Sequence, residues 1–318
     1  MDATLLHPEL RKGITRFPSA SIGKPSQIRL MRSILRLMPT LRPPAGVRRE
    51  WIELGPGFGV HVFTPEGGGS GAALLWIHGG GMVIGAAKQD HARCGRLAVK
   101  LGIVVVSAEY RLAPEHPYPL PLDDCRAAWE WLLENAVGRG IAASRLAIGG
   151  QSAGGGLAAG LILRVHDEGG PQPVAQWLFC PMLDDRTAAD SSLDAVEHFV
   201  WDNRKNRVGW TAYVGTPGED GVEAYAAPAR RVDFAGLPPA WIGTGGIELF
   251  RDEDVAYAEA LRADGVEAVL DEVPGAPHGF ETLVGKAPVS VAYVARADAW
   301  LAARLGLDTP PTAALDPR

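Results

Sequence analysis

Short apolar runs recur along most of the chain, and stretches with the spacing of amphipathic helices separate them. The apolar runs lie at Ala73–Ile77, Ile103–Ser107, Leu146–Ile148, Ala175–Phe179, Ala240–Gly243 and Ala268–Val273. The helical stretches lie at Asp90–Leu101, Leu122–Asn135, Gly154–Arg164 and Glu253–Asp264. Strands that alternate with helices predict βαβ units and a mainly parallel sheet. The near-continuous apolar character of the runs favours the same arrangement, because parallel strands are covered on both faces.

Two regions interrupt this alternation. Residues 25–39 have the pattern of an amphipathic helix, and the segment from Asp184 to about Ala224 is rich in charged and aromatic residues. Long insertions at the carboxyl end of a strand form lids in open α/β sheets. The predicted units are therefore a helical cap at 1–45 and 184–224, a larger α/β domain at 46–183 and 225–307, and a disordered tail at 308–318.

Composition narrows the classes of function. The chain has 318 residues, 47% of them hydrophobic and 21% charged, and a net charge of -6. A mildly acidic chain argues against a nucleic-acid partner. The N-terminus lacks a signal-like apolar segment, and no apolar run reaches the ~18 residues of a membrane span, so we expect no membrane insertion and a cytoplasmic location. Cys94, Cys125 and Cys180 are scattered, which predicts neither a disulfide framework nor a zinc site.

A candidate nucleophile lies between a strand and a helix. The segment Gly150–Gly154 reads G-x-S-x-G around Ser152, and it follows the apolar run that ends at Ile148. This strand–turn–helix context is the one the motif requires. Such a turn strains the serine backbone and needs small neighbours, and the start of the helix favours developing negative charge. The alternative is a glycine-rich helix start at which Ser152 is only the N-cap.

A second glycine-rich loop follows the strand at Ala73–Ile77. Its sequence His78–Gly81 allows backbone N–H groups to approach a developing oxyanion, and the N–H of Ala153, the residue after the nucleophile, completes such a site. A nucleotide-binding loop is the alternative. However, the spacing fits G-x-G-x-x-G imperfectly and no G-K-[ST] follows. We interpret His78 as a residue that stabilises the loop.

The general base is predicted from chain order, which for this arrangement runs serine, acid, histidine. Three histidines follow Ser152: His166, His198 and His278. His166 lies in the helix after the nucleophile, and His198 lies in the predicted cap. His278 lies in a loop directly after a strand, where an imidazole can act first as base and then as acid. His278 is therefore the predicted base.

The acid is less sharply defined. Glu248 lies in the loop after the strand at Ala240–Gly243, whereas Asp252, Glu253 and Asp254 fall in the first turn of the next helix. Acids are favoured there by the helix dipole alone. Glu248 is therefore the first candidate for orienting the imidazole, Asp252 the second and Asp184 the third.

Several segments together resemble the bacterial hormone-sensitive-lipase-like esterases. The resemblance is carried by His78–Gly81, Glu109–Pro119, Gly150–Gly155, Glu248–Glu253 and His278–Phe280. It implies an α/β-hydrolase fold with a helical cap, with Ser152 as nucleophile and His278 as base. It also implies oxyanion donors at Gly80, Gly81 and Ala153.

The resemblance also carries expectations about chemistry. It implies a serine carboxylic-ester hydrolase acting on short- to medium-chain acyl esters through an acyl-enzyme, with a small-molecule ester as partner and without metal or organic cofactor. The resemblance is also compatible with a homodimer, since some relatives dimerise through the edge of the sheet. An amidase or peptidase using the same triad is one alternative. A catalytically silent binding module is another, although related plant receptors lose the histidine that is present here as His278.

Two positions depart from the family pattern. Glu248 stands where the family usually has aspartate, which keeps Asp252 open as the acid. Gln151 stands where the family has aspartate or threonine, and we expect it to set local hydrogen bonding. Arg111 and Glu115 are expected to form either ion pairs that support the oxyanion loop or a solvated pair.

Four aromatic residues of the predicted cap leave two interpretations open. They either line a substrate pocket or pack the cap's own core. They are Phe199, Trp201, Trp210 and Tyr213.

Overall fold

The computed structural model describes residues 1–16, 22–37 and 44–307. Within these ranges the strands form one eight-stranded sheet in the order β1-β2-β4-β3-β5-β6-β7-β8. The strands are β1 (Val47–Gly55), β2 (Phe58–Pro65), β3 (Ala73–Ile77), β4 (Val104–Glu109), β5 (Leu146–Gln151), β6 (Gln176–Phe179), β7 (Ala240–Gly245) and β8 (Ala268–Val273). Strand β2 is antiparallel to both β1 and β4, and the other neighbours are parallel. The predicted, mainly parallel sheet is confirmed.

Helices cover both faces of the sheet. They are α1 (Pro8–Ile14), α2 (Pro25–Leu37), α3 (His91–Leu101), α4 (Leu120–Asn135), α5 (Ala153–Asp167), α6 (Asp185–Ala189), α7 (Asn203–Val214), α8 (Arg251–Ala263), α9 (Phe280–Leu283) and α10 (Pro288–Arg304). The four helices predicted between strands correspond to α3, α4, α5 and α8. Helix α2 fits the predicted amphipathic helix up to Leu37. The predicted disordered tail at 308–318 lies outside the described residues.

The strand register brings the candidate loops to one edge of the sheet. Ile77, the last residue of β3, pairs with Gly150 in β5, so the two glycine-rich loops leave the sheet side by side. Gly245 at the end of β7 pairs with Val273 at the end of β8. In open α/β sheets, sites form outside the carboxyl ends of the strands. The loops that follow β3, β5, β7 and β8 therefore surround one site.

A layer of aromatic side chains lies against one face of the sheet. Trp76, Trp177, Phe179 and Trp241 are buried there, with ring centroids 4.7 to 5.9 Å apart. The Arg93 guanidinium lies 4.3 Å from the Trp76 ring and 4.1 Å from the Phe179 ring. Edge-to-face packing and cation–π contacts each add about 1 kcal/mol beyond area burial. The four aromatic residues belong to the core cluster on one side of the sheet, whereas the buried residues of α5 belong to the other cluster.

The N-terminal segments contact two of the site loops. The backbone N–H of His7 donates to the carbonyl of Gly275, 2.8 Å away, in the loop after β8. In α2, Arg32 donates from Nε to the Val83 carbonyl at 2.7 Å and from Nη2 to the Ala113 carbonyl at 2.5 Å. The division into a cap and an α/β domain stays a prediction.

The N-terminal segment also contacts the insertion. The Met1 ammonium donates to the Glu197 carbonyl at 2.7 Å, so the two parts of the predicted cap touch. Among the residues described, no helix combines the length and the apolar character needed to cross a membrane.

Two histidines pack edge to face between β2 and α3. The ring centroids of His61 and His91 are 4.4 Å apart, and Trp51 lies 4.7 Å from His61. Arg49 Nη1 lies 2.6 Å from His91 Nδ1. Burial lowers the pKa of His61 to about 4, and the Arg49 charge adds to the effect. Burial lowers the pKa of His91 to about 3. Both rings are therefore neutral in the folded protein at neutral pH.

The folded pKa of His61 lies below its unfolded value near 6.5, so the unfolded state takes up a proton first as pH falls. The stability linked to neutral His61 is therefore present above about pH 6.5 and is lost as pH falls towards 4. Gln takes up no such proton. As pH falls from about 7.5 to 4.5, we expect the free energy of unfolding of His61→Gln to rise steadily relative to that of the unchanged protein. Urea midpoints measure it, and a pH-independent difference would contradict the assignment.

Candidate active site

The turn after β5 holds Ser152 in a strained backbone conformation. Its φ is 56° and its ψ is -123°, a region that costs non-glycine residues about 1–3 kcal/mol. A Cβ on Gly154 would collide with the carbonyl of Ile77, so this position requires glycine. The Ser152 N–H donates to the Phe179 carbonyl at 2.8 Å, and the Met182 N–H donates to the Ser152 carbonyl at 3.0 Å. The Ser152 hydroxyl makes no bond to the start of the helix, so the N-cap interpretation is wrong.

Ser152, His278 and Glu248 form a continuous hydrogen-bonded chain. Ser152 Oγ lies 2.9 Å from His278 Nε2, and His278 Nδ1 lies 2.5 Å from Glu248 Oε2. Glu248 Oε1 accepts from the Thr244 hydroxyl and from the Gly245 N–H, each at 2.7 Å. A carboxylate that accepts at Oε2 assigns the proton of the neutral ring to Nδ1. The lone pair of Nε2 then faces the serine hydroxyl.

The loop after β3 lies directly against this serine. A Cβ on Gly79 would come within 2.9 Å of the Gln151 carbonyl oxygen. Gly80 and Gly81 have φ values of 138° and 58°, which favour glycine. Within the described residues, the N–H groups of Gly80, Gly81 and Ala153 donate to no protein acceptor. The three predicted oxyanion donors are therefore uncommitted beside the hydroxyl.

His78 supports this loop from within. Its Nδ1–H donates to the carbonyl of Gly79 at 2.9 Å, and its ring stacks on Tyr110 at a centroid distance of 4.3 Å. The Tyr110 hydroxyl in turn donates to the His78 carbonyl at 2.9 Å. Burial lowers the pKa of His78 to about 4. His78 is therefore a neutral, buried residue that supports the loop. This role agrees with its interpretation from the sequence.

Gln151 connects the nucleophile turn to the loop that carries His278. Its Nε2 donates to Glu281 Oε1 at 2.5 Å and to Thr282 Oγ1 at 3.0 Å, both in α9 directly after that loop. Burial raises the pKa of Glu281. The expected hydrogen bonding of Gln151 thus links the turn that carries Ser152 to the segment that follows His278.

The structure brings one of the three candidate acids to the imidazole. Asp252 is 90% exposed and pairs with Arg251 at 2.8 Å. Asp184 accepts from the Arg186 N–H at 2.9 Å, where it caps α6. Glu248 alone of the three contacts His278.

Further ionisable groups lie close to the chain of hydrogen bonds. Burial raises the pKa of the Asp254 carboxyl well above its usual range, and the charge of Glu248 raises it further. The Thr244 hydroxyl, which donates to Glu248 Oε1 at 2.7 Å, partly offsets this rise. Burial and the neighbouring Glu248 charge thus both disfavour the ionised form of Asp254.

One group of residues has the spacing of metal ligands. Within the described residues, a ligand atom each of Cys180, Glu248 and His278 lies within 4.8 Å of the others. Two of the three already bond each other at 2.5 Å. A metal ion would have to break that bond, so the donor set does not fit a resident metal.

The comparisons with known proteins agree with this geometry. A family model described as the alpha/beta hydrolase fold matches residues 74–282, which include Ser152, Glu248 and His278. The chain belongs to the α/β-hydrolase family. Its resemblance to the hormone-sensitive-lipase-like branch of that family is confirmed.

Several relatives of this α/β-hydrolase have names that describe ester hydrolysis. The carboxylic ester hydrolase LipN of Mycobacterium tuberculosis is 36% identical over 228 residues, which cover 70% of this chain and 60% of LipN. The carboxylesterase NlhH of the same organism is 37% identical over 213 residues, 65% of this chain and 66% of NlhH. The chain thus spans less than two thirds of the length of these two relatives. A solved structure named bacterial heroin esterase is 35% identical with a TM-score of 0.85, and the match covers 95% of this chain and 98% of that one.

The four aromatic residues of the predicted cap divide between the two interpretations. Trp210 and Tyr213 are fully buried in the core cluster, with ring centroids 6.2 Å apart. Phe199 is partly buried against the other core cluster. Trp201 packs against Gly81 of the oxyanion loop. Sequence alone does not separate these roles, because all four occur in one short segment.

Arg111 and Glu115, which were expected to form ion pairs near the oxyanion loop, each pair with another residue. Arg111 binds Asp124 through two guanidinium bonds of 2.8 and 2.6 Å. Glu115 pairs with Arg32 of α2 at 2.8 Å. Since Arg32 also binds the Val83 carbonyl, the Glu115 pair does support the loop, whereas Arg111 secures the start of α4.

Several supporting residues of the α/β-hydrolase site were not predicted. Thr244 orients Glu248, Tyr110 supports His78, and Glu281 binds Gln151. Thr244 directly follows the apolar run Ala240–Gly243, and Glu281 follows His278 by three residues. Both positions were usable signals in the sequence. Arg32 had no signal, since its partners lie 51 and 81 residues away.

The Gln151–Glu281 bond predicts a measurable coupling. Gln151→Leu leaves a buried carboxyl without its donor, and we expect the free energy of unfolding to fall by about 1–3 kcal/mol. We also expect a lower kcat with little change in KM, because the loop carrying His278 loses its connection to Ser152. Replacing both partners by leucine removes the unpaired group.

A double-mutant cycle tests the coupling. Gln151→Leu combined with Glu281→Leu should cost less than the sum of the single changes, as measured by urea denaturation. Strict additivity of the two costs would show that the bond does not join the two loops.

Proposed function

We propose that the protein is a carboxylesterase that hydrolyses short- to medium-chain acyl esters through Ser152, His278 and Glu248. The observation that carries the proposal is the chain of hydrogen bonds of 2.9 and 2.5 Å that runs from the serine hydroxyl through the imidazole to the carboxylate. The names of the relatives support ester hydrolysis as the reaction class.

In the first half of the reaction Ser152 attacks the ester carbonyl. His278 Nε2 takes the hydroxyl proton as the Oγ–carbon bond forms, and Glu248 stabilises the imidazolium that results. The two donors that hold Glu248 Oε1 keep its other oxygen aimed at Nδ1. Because the imidazole is fixed in one orientation, the proton transfer needs no rearrangement of the base.

The negative charge that develops on the carbonyl oxygen is met by the N–H groups of Gly80, Gly81 and Ala153. Ala153 is the first residue of α5, so the positive end of that helix adds to the stabilisation. A single donor of this kind is worth about 100- to 1000-fold in kcat. The strained Ser152 backbone keeps the hydroxyl at the height of these donors.

The intermediate collapses when His278 gives its proton to the departing alcohol. An acyl group then remains on Ser152 Oγ as an ester. Water, deprotonated by the same Nε2, attacks this acyl-enzyme, and the second tetrahedral intermediate uses the same three N–H donors. Collapse releases the carboxylic acid and returns the proton to Ser152.

The first test is steady-state hydrolysis of p-nitrophenyl esters from acetyl to palmitoyl. Ser152→Ala and His278→Ala should each lower kcat by about a thousandfold or more, because the nucleophile or the base is removed. Glu248→Ala should also lose most of the activity. Asp252→Asn is the matched control, since this acid faces solvent, and it should keep near-normal activity.

A covalent intermediate gives a second measurement. Rapid quenching followed by peptide mass spectrometry should find the acyl mass on the peptide that contains Ser152. A protein that cleaves no ester would refute the proposal, and faster cleavage of a matched p-nitroanilide would favour an amidase. If Asp252→Asn cost as much as Glu248→Ala, Asp252 would replace Glu248 as the acid.

A further inference from the structure

One tryptophan of the cap forms part of the wall around Ser152. A Cβ on Gly81 would collide with the six-membered ring of Trp201, so the indole rests directly on the oxyanion loop. The centroid of its ring lies 6.5 Å from that of His278, with the planes inclined by 34°. Trp201 is 8% exposed. The indole therefore closes the side of the site between the oxyanion donors and the general base.

The backbone that presents this indole is strained. The Trp201 N–H donates to the Phe199 carbonyl at 2.8 Å, which closes a tight turn around Val200. Val200 has a φ of 69°, a genuine outlier for a β-branched residue. Lys205 Nζ donates to the Val200 carbonyl at 3.1 Å and to Asp202 at 2.7 Å. A strained turn secured by a largely buried ammonium points to a position that the site requires.

The neighbouring cap tryptophan lacks these features. Trp210 is fully buried in the core cluster and packs against Tyr213. Helix α7, which carries it, approaches the oxyanion loop through Gly209, where a Cβ would lie 2.6 Å from the Gly81 carbonyl oxygen. The α7 backbone thus lies against the loop at Gly209, whereas the Trp201 indole lies against Gly81.

The chemistry of the proposed reaction decides which part of an ester faces Trp201. The carbonyl oxygen must point to the N–H groups of the oxyanion loop, and the leaving oxygen must lie within hydrogen-bond reach of His278 Nε2. The alcohol group continues outward from that leaving oxygen. An indole that bridges the loop and the imidazole therefore bounds the alcohol side, while the acyl chain leaves the reacting carbon in another direction.

From this placement we infer that Trp201 is a specificity-determining residue that restricts the alcohol group of the ester to small, unbranched or flat groups. The inference rests on the proposed esterase function and deepens it. A flat indole face admits a narrow or planar alcohol, and a group branched next to the leaving oxygen meets the ring. The acyl-chain preference is set elsewhere.

The experiment compares two series of alkyl esters whose intrinsic reactivities are similar within each series. One series keeps the acetyl group and varies the alcohol from ethyl to isopropyl and cyclohexyl. The other keeps ethyl and varies the acyl group from acetyl to hexanoyl. Each is measured as kcat/KM for the unchanged protein and for Trp201→Phe, Trp201→Ala and the control Trp210→Phe.

We expect Trp201→Ala to raise kcat/KM for cyclohexyl acetate, relative to ethyl acetate, by about tenfold or more, since removing a wall acts through the fit of the substrate. Trp201→Phe should give a smaller shift in the same direction. The ratio of ethyl hexanoate to ethyl acetate should stay unchanged in both. Trp210→Phe should leave both series unchanged.

Other results would overturn the inference. These are an unchanged alcohol series in Trp201→Phe and Trp201→Ala, an equal shift in the acyl series, or the same relaxation in Trp210→Phe, which would indicate general loosening of the cap. If Trp201→Ala does not fold, the direction of the Trp201→Phe shift decides. Failure of the proposed function is distinct, because the unchanged protein would then hydrolyse no ester and Ser152→Ala would change nothing.

Discussion

The site depends on the close approach of two backbone segments, the loop after β3 and the turn after β5. No side chain fits between them, since a Cβ on Gly154 would strike the end of β3 and a Cβ on Gly79 would crowd the turn. The parallel register of β3 and β5 sets this approach. It places the hydroxyl of Ser152 beside uncommitted N–H groups, and the strain in its backbone is offset by hydrogen bonds to β6 and the loop beyond. The glycines are thus part of the site geometry.

Around this contact, hydrogen-bond donors determine which carboxylate is held against the imidazole. Several carboxyl groups lie near the imidazole, and burial raises the pKa of Asp254 and Glu281. Glu248 differs because a backbone N–H, the Thr244 hydroxyl and the imidazole all donate to it. These donors hold one oxygen of Glu248 towards His278 Nδ1.

Local sequence patterns were enough to predict much of this arrangement. The remainder depends on contacts between residues far apart in the chain. Alternating runs predicted the parallel sheet, because burial on both faces leaves a continuous apolar signal. The position of Glu248 just beyond a strand placed it correctly near the imidazole, ahead of Asp252 in the first turn of the next helix. The partners of Arg32 were beyond prediction, since they depend on segments brought together only by folding. For the same reason sequence could not separate Trp201 from Trp210, which differ in neighbours and not in local pattern.

The oxyanion loop has two occupied faces. The nucleophile turn lies on one, and on the other lie the Trp201 indole, the backbone of α7 at Gly209, and Arg32 of α2. The segments of the predicted cap are therefore packed directly against the oxyanion loop. Evolution toward new substrates in this protein would be constrained accordingly. A change that widens the entrance also alters the support of the donors, so substrate range and turnover would tend to evolve as linked traits, with compensating changes in one cap segment following changes in another.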